Sequence, residues 1–382
     1  MEFKVSKKEF EEVVDLVSRY VSRNTTLPVL ENIYIKAQED QVVVRGTDMS
    51  KYIEFSFPAS IEWEGAITVN ARTLGEFLKT LDEGEIQIEA DEAKSMFSLK
   101  SNGDEIQIKG IPASEYVAIP EINPQKSINL PAASFVEGIK KVEFAVSDRS
   151  LTAVLTGILV RLKKGGEAKN QLVFAWTDAL RLADYRLEIP VEAEEFSVIV
   201  PKTNVGELTK AVEFGMGKEV EEVKLDITDS FVGLEIALPG GKRIYASSVL
   251  IEGNFPDYEN ENIMPTKFNA TIKVSPSWLE KAIKKVVILT KGLNYFVDIK
   301  GEVDKVIISS GETDMGEVKT TLKAIVDWEN IEFGVNGKQI LDFLREVEGE
   351  IIDINIVDGE RPIILKDPTI PNYTYIVRPL VK

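Results

Sequence analysis

The feature that most constrains this chain is an internal repeat. Three segments each run from a short alternating stretch into an amphipathic one: Thr68 to Leu81 (TVNARTLGEFLKTL), Val198 to Val212 (VIVPKTNVGELTKAV) and Phe333 to Val347 (FGVNGKQILDFLREV). Val69, Val200 and Val335 hold the same place in each, 131 and 135 residues apart. A chain of 382 residues is too long for one ordinary core. Three copies of about 127 residues, one per domain, satisfy both the length and the repeat.

A second set of helices precedes these segments, in Val5 to Tyr20, Leu130 to Val146 and Val274 to Leu289, each opening with Ser or Pro. Phe10, Val13, Val14 and Val17 recur at helical spacing, as do Phe135, Ile139 and Val142, and Leu279, Ile283 and Val286, so one face of each helix is buried. Between the two helices of each copy lies a Thr-Asp pair, Thr47-Asp48, Thr177-Asp178 and Thr313-Asp314. These read as turns, because an Asp carboxylate readily bonds the backbone two residues on. Stretches such as Val42 to Val44, Glu85 to Glu89, Phe97 to Leu99, Glu105 to Ile108, Leu225 to Ile227 and Ile352 to Ile356 alternate with period two and predict antiparallel strands. The fold class is α+β, with boundaries in Pro120 to Ser127 and Pro256 to Lys267 and domains at 1–124, 125–260 and 261–382.

Composition narrows the chemistry. The chain has neither cysteine nor histidine, so it builds no disulfide or thiolate metal site and lacks the side chain that titrates near neutral pH. Catalysis, a cofactor and a bound metal are not expected. The glycine-bearing runs Lys164 to Gly166, Pro239 to Lys242 and Gly215 to Lys218 lack the spacing of a phosphate loop and read as hairpin turns. The carboxylate runs Glu192 to Glu195 and Glu219 to Glu222 read as solvated charge. Met1 to Tyr20 has no signal-peptide run and no later stretch is apolar enough to span a membrane, so a cytoplasmic protein without a membrane partner is expected. Asn-x-Thr triplets at Asn24, Asn269 and Asn372 then carry no glycosylation meaning.

Several runs, in order, resemble the bacterial sliding clamp, the beta subunit of DNA polymerase III. They are Asn24 to Leu30 (NTTLPVL), Gly46 to Met49 (GTDM), Phe144 to Gly157 (FAVSDRSLTAVLTG), Trp176 to Ala183 (WTDALRLA), Ile251 to Tyr258 (IEGNFPDY) and Tyr375 to Leu380 (YIVRPL). The resemblance spans the chain. It implies three tandem clamp domains per subunit and a homodimer closed head to tail around duplex DNA, with helices lining the hole and antiparallel sheets forming the outer wall. It further implies that a replicative polymerase, a clamp loader and repair proteins bind one face through short peptide motifs.

A formal charge of −18 opposes DNA binding when taken over the whole chain. Counted over the predicted helices and their ends, fifteen basic residues face twelve acidic ones, a net of +3 that leaves −21 elsewhere. A weakly positive bore within a negative wall attracts phosphates without sticking elsewhere. The basic candidates are Arg23, Arg72, Lys140, Lys141, Lys202, Lys284 and Lys338. Arg72 and Lys202 match helix-start positions where the resemblance implies DNA-facing bases. Asn24 stands where that family often has arginine, and Arg23 is its substitute one residue away.

The resemblance also implies a peptide cleft of Leu155, Thr177, Ala179, Leu180, Arg181, Leu182, Pro256, Ile263, Val377, Arg378, Pro379 and Leu380. A mostly apolar groove accepts a disordered segment by burying Leu or Phe anchors. The family usually carries Gly-His at Ala179-Leu180 and commonly Met at Arg378, so this cleft is differently tuned, with Arg378 placed to pair with an acidic residue of the partner. For the dimer, Glu105 to Ile108 pairs with a strand near Glu317 to Leu322, Ile106 and Ile108 pack on Ile288 and Leu289, and Asp104 and Glu105 meet Lys319 or Lys323. The competing reading is a repeat-built interaction scaffold that never encircles DNA.

Overall fold

The computed structural model describes residues 1–119, 123–145, 151–164, 170–189, 193–327 and 331–380. The first copy comprises β1 (Glu2–Ser6), α1 (Lys7–Val17), β2 (Asn32–Gln38), β3 (Gln41–Thr47), β4 (Lys51–Pro58), β5 (Ile61–Trp63), β6 (Gly65–Asn70), α2 (Ala71–Leu78), β7 (Glu85–Asp91), β8 (Met96–Ser101), β9 (Asp104–Lys109) and β10 (Ile111–Pro112). The second comprises β11 (Lys126–Pro131), α3 (Ala132–Glu143), β12 (Gly157–Lys164), β13 (Asn170–Thr177), β14 (Arg181–Ile189), β15 (Phe196–Pro201), α4 (Lys202–Met216), β16 (Glu222–Ile227), β17 (Phe231–Leu238) and β18 (Lys242–Val249). The third comprises β19 (Ala270–Val274), α5 (Pro276–Leu289), β20 (Phe296–Glu302), β21 (Lys305–Ser309), β22 (Lys319–Val326), β23 (Ile331–Asn336), α6 (Gly337–Leu344), β24 (Ile352–Ile356), β25 (Ile363–Lys366) and β26 (Tyr373–Val377). The element order repeats three times, as the sequence period requires.

Local sequence explains the elements. Val42 and Val44 of β3 are fully buried while Val43 between them is not, the period-two signature of a half-buried strand. Phe10, Val13, Val14 and Val17 form the buried face of α1. Helix starts depart from expectation. Neither Ser6 nor Ser275 caps its helix with its side chain. The strand runs directly into α1, and the Lys7 amide donates to the Gly84 carbonyl at 2.8 Å, so the first orphan donor finds a backbone partner instead. The side-chain caps are Asn70, which accepts from the Thr73 amide at 3.0 Å, and Asn336, which accepts from those of Lys338 and Gln339. Gly215 to Lys218 is not a hairpin turn but the end of α4, where Gly215 packs so tightly that an added Cβ would lie 2.8 Å from Ile236. Pro239 to Lys242 is a turn, with Gly240 and Gly241 at φ 76° and 74°. Gly165, Gly166, Glu192 and Val146 to Ser150 of the FAVSDRS run lie outside the described residues.

Two compact units result, Met1–Val136 with Thr203–Ile251, and Glu137–Lys202 with Glu252–Lys382. The first holds a five-stranded sheet, β5-β1-β7-β8-β9, and a nine-stranded one, β10-β6-β2-β3-β4-β18-β17-β16-β11. The second holds a twelve-stranded sheet, β15-β12-β13-β14-β26-β25-β24-β19-β22-β21-β20-β23. All pairings between these strands are antiparallel, and two of them join one copy to the next. β4 pairs with β18 from Lys51↔Ser248 to Ser56↔Arg243, and β14 pairs with β26 from Arg181↔Val377 to Tyr185↔Tyr373. Each seam removes two exposed strand edges. Among the described residues no helix is long and apolar enough to cross a membrane.

Candidate functional site

Each seam begins at a Thr-Asp turn. Thr47 Oγ1 donates to the Lys51 carbonyl at 2.8 Å and accepts from the Met49 amide at 3.0 Å, while Asp48 Oδ1 accepts from the amides of Ser50 and Lys51. Thr177 and Asp178 repeat this with the Arg181 carbonyl and the amides of Ala179, Leu180 and Arg181. Thr313 bonds the Gly316 carbonyl and the Met315 amide in the third copy. The pairs are turns, as their chemistry predicts. The third turn residue is left-handed in the first two, Met49 at φ 74° and Ala179 at φ 71°, which is where glycine is at ease and an alanine is strained.

Two strands keep an open side at the places the seams use in the other copies: among the described residues β9 pairs only with β8, and β22 from Lys319 to Lys323 pairs only with β21. By element order β9 is the counterpart of β18 and β26, and β22 the counterpart of β4 and β14. Asp104, Glu105, Lys319 and Lys323 are exposed, Ile288 is 69% exposed, and Ile106 and Leu289 are half-buried. Ile108 is not an available contact: it is 7% exposed, packed within its own sheet opposite Phe97. Ile325, 61% exposed on β22, was not flagged by the sequence, since a lone exposed isoleucine in an alternating strand carries no signal.

The candidate cleft residues divide into a wall and its supports. Leu180 is 46% exposed, Pro256 and Arg378 are exposed, and Leu155, Ile263 and Leu380 are half-buried. Leu182 and Val377 are core residues, 3% and 0% exposed: the register Arg181↔Val377 and Leu182↔Ile376 puts them on opposite faces of the sheet, and both faces are covered there. Thr177 and Pro379 are buried as well. Arg181 is already engaged: it reaches Asp342 at 2.6 Å, Asp178 at 3.2 Å and the Ala145 carbonyl at 2.9 Å, with its guanidinium over the Trp176 ring. These residues hold the wall rather than present it. Two hydrogen bonds to backbone carbonyls fix its rim, the Arg378 amide donating to that of Leu180 at 2.8 Å and the indole Nε1 of Trp176 to that of Leu155 at 3.0 Å.

The stretch read as a boundary, Pro256 to Lys267, is firmly seated. Tyr258 is 2% exposed and donates to Asp184 at 2.6 Å, and Phe255, Ile263, Met264 and Phe268 pack on the core cluster that includes Leu159, Val173 and Ile376. Glu259 receives Arg161 and Arg186 at 2.7 Å and Lys163 besides. Burial opposes its charge, yet the three cations hold its carboxyl below the usual range. Composition hid this, since prolines and asparagines look alike in a linker and in a pinned strap.

Of the basic candidates, Arg23, Arg72, Lys140, Lys284 and Lys338 are exposed, as is Asn24, while Lys202 is half-buried at the start of α4. Arg72 pairs with Glu76, Lys284 with Glu280, and Lys338 lies 4.0 Å above the Tyr295 ring. Lys141 is not available. It is 7% exposed, donating to the Glu346 carbonyl at 3.0 Å and pairing with Glu348 at 2.9 Å, because its position falls on the packed face of α3. Within the observed bounds of the six helices, eleven basic residues meet eleven acidic ones. The excess of +3 comes from Arg19, Lys79 and Arg345 just beyond helix C-termini and Arg23 farther along the chain, offset by Glu346. Cations at the helix ends complement the dipole.

Family models for the N-terminal, central and C-terminal domains of the DNA polymerase III beta subunit match residues 1–120, 129–257 and 261–381 in turn. The chain belongs to the DNA polymerase III beta subunit family. It is 27% identical to the beta sliding clamp of Bacillus subtilis (strain 168), over 100% of this chain and 99% of that one. The solved DNA polymerase sliding clamp of Bacillus subtilis is 25% identical with a TM-score of 0.89, covering 100% of this chain and 99% of that one. The DNA polymerase III subunit beta of Pseudomonas aeruginosa, 22% identical with full coverage of both chains and a TM-score of 0.90, shares the fold. The chain is thus built of three tandem clamp domains, and the family is a non-enzymatic processivity factor of replication.

Proposed function

We propose that this chain forms a homodimeric ring that encircles duplex DNA without regard to sequence, slides along it in the cytoplasm, and tethers a polymerase, a clamp loader and repair proteins. One observation carries the reading: the two open strands, β9 and β22, are the repeat counterparts of the strands already joined at β4·β18 and β14·β26. Joining β22 of one subunit to β9 of another continues the same rule and covers these two edges, and an isologous contact does not. Asp104 and Glu105 then face Lys319 and Lys323, with Ile106 against Ile288 and Leu289 at the seam.

Arg23, Asn24, Arg72, Lys140, Lys202, Lys284 and Lys338 supply weak phosphate contacts, which permit sliding. Peptide motifs anchor on Leu155, Leu180, Pro256, Ile263 and Leu380, with Arg378 free at the rim for an acidic partner group. The test is to load the protein on circular DNA and then cut the circle. Release on linearisation is expected, and retention would leave the interaction-scaffold reading in its place. Reversing Lys319 and Lys323 to glutamate should lower the dimer fraction in gel filtration and restoring it should require Asp104→Lys with Glu105→Lys.

A further inference from the structure

We propose that the third copy supplies most of the attraction for duplex DNA, with the exposed face of α5 as the main phosphate track and Lys291 and Lys338 as its extension. The inference rests on the encirclement reading above and goes beyond it by dividing the DNA contact unequally among the copies. The three copies repeat one fold but not one charge. α5 holds three lysines and one glutamate, a net of +2, whereas its first-copy counterpart α1 holds two lysines and four carboxylates, a net of −2. The other four helices are each neutral. Burial of Leu279, Ala282, Ile283 and Val286 turns Trp278, Lys281 and Lys285 outward as one stripe, three and four residues apart, and Trp278 at its head is 47% exposed.

Which cations are free matters as much as the net charge, because a carboxylate beside a lysine cancels much of its pull on a phosphate farther out. In the first copy Lys7 pairs with Glu11 at 2.7 Å and Arg72 with Glu76 at 2.9 Å, which leaves Lys8 as the one helix cation without an ion pair among the described residues. α1 also draws in lysines from outside: Glu9 holds Lys242 and Glu12 holds Lys218, each at 2.6 Å. In the second copy Lys141 is buried against Glu348, and Lys210 pairs with Glu213 at 2.6 Å. The third copy differs. Lys284 pairs with Glu280, but among the described residues no carboxylate pairs with Lys281 or Lys285, with Lys291 past the end of α5, or with Lys338 over the Tyr295 ring. On a chain of formal charge −18 such a patch of unopposed cations is selective for a polyanion, and the regular phosphates of a duplex supply one.

The test is the salt dependence of binding to a short blunt duplex, followed by fluorescence anisotropy with the full chain. Lys281→Ala with Lys285→Ala should lower the slope of log affinity against log salt by about 2, one for each lost phosphate contact. Lys79→Ala with Lys210→Ala removes the same charge from the exposed lysines that hold Asp15 and Glu213, and should lower the slope less than half as much. Gel filtration checks that both pairs assemble as the wild type does. A second readout locates the contact: the duplex should quench tryptophan emission, and Trp278→Phe should remove most of that quenching. Slopes lowered equally by the two pairs, or quenching that survives Trp278→Phe, overturn the proposal. A wild type that binds no duplex sinks the encirclement reading itself, whereas binding whose slope ignores Lys281 and Lys285 removes this inference alone.

Discussion

The two seams share a turn but differ in what the first residue of the following strand does. At the first, Lys51 stops at Asp48, three residues back in the same turn. At the second, Arg181 pairs with Asp178 and continues to Asp342 of α6, the Ala145 carbonyl and the Tyr375 hydroxyl. Lysine is a point charge on a flexible stem, whereas the arginine fork meets several acceptors at once. The same turn therefore ends a hairpin in one unit and ties sheet to helix in the other.

The largest expected effect follows from that difference. Arg181→Met should cost about 1.5–3 kcal/mol in denaturant unfolding, because it removes the charged hydrogen bonds to Asp178, Asp342 and the Ala145 carbonyl, while Arg345 still pairs with Asp342 and backbone amides still hold Asp178. Lys51→Met should cost about 1 kcal/mol, since the amides of Ser50 and Lys51 still hold Asp48. Equal losses would mean that Arg181 is no more than a turn residue.

An intermediate effect is acid dependence at the first seam. Burial opposes ionisation of Asp48, but Lys51 and Ser50 outweigh it and hold its carboxyl below the usual range. A depressed carboxyl contributes stability that is present above its ordinary pKa of about 3.9 and lost as pH falls through the folded value. The gap in stability between wild type and Lys51→Met should thus be full at pH 7 and shrink below about pH 4. A gap independent of pH would assign the loss to packing.

The smallest effect tests what the seams share. Met49→Gly and Ala179→Gly should each raise stability by roughly 0.5–1 kcal/mol in thermal unfolding, because both positions are left-handed. A gain at one seam alone would show that neighbours, rather than the turn, set the strain.

Much of this was legible beforehand where a signal was periodic. Phe10 to Val17 marked a buried helix face, Val42 to Val44 a strand, and the Thr-Asp pairs turns. What failed was local. Lys141 looked like its neighbour Lys140, yet one is buried against Glu346 and Glu348 and the other is exposed. Leu182 and Leu180 flank Arg181, yet only Leu180 reaches the surface, since Leu182 lies within the paired strand β14 whereas Leu180 lies in the turn before it.

The sequence by itself determined three copies of one domain, their order of elements and the absence of histidine and cysteine chemistry, because repeats, periods and composition are properties of the chain alone. Only the tertiary structure decided which strands join copy to copy, which lysines are spent indoors, and that the Tyr258 and Glu259 segment is pinned. Those outcomes depend on partners tens to hundreds of residues away, and no local pattern encodes a distant partner.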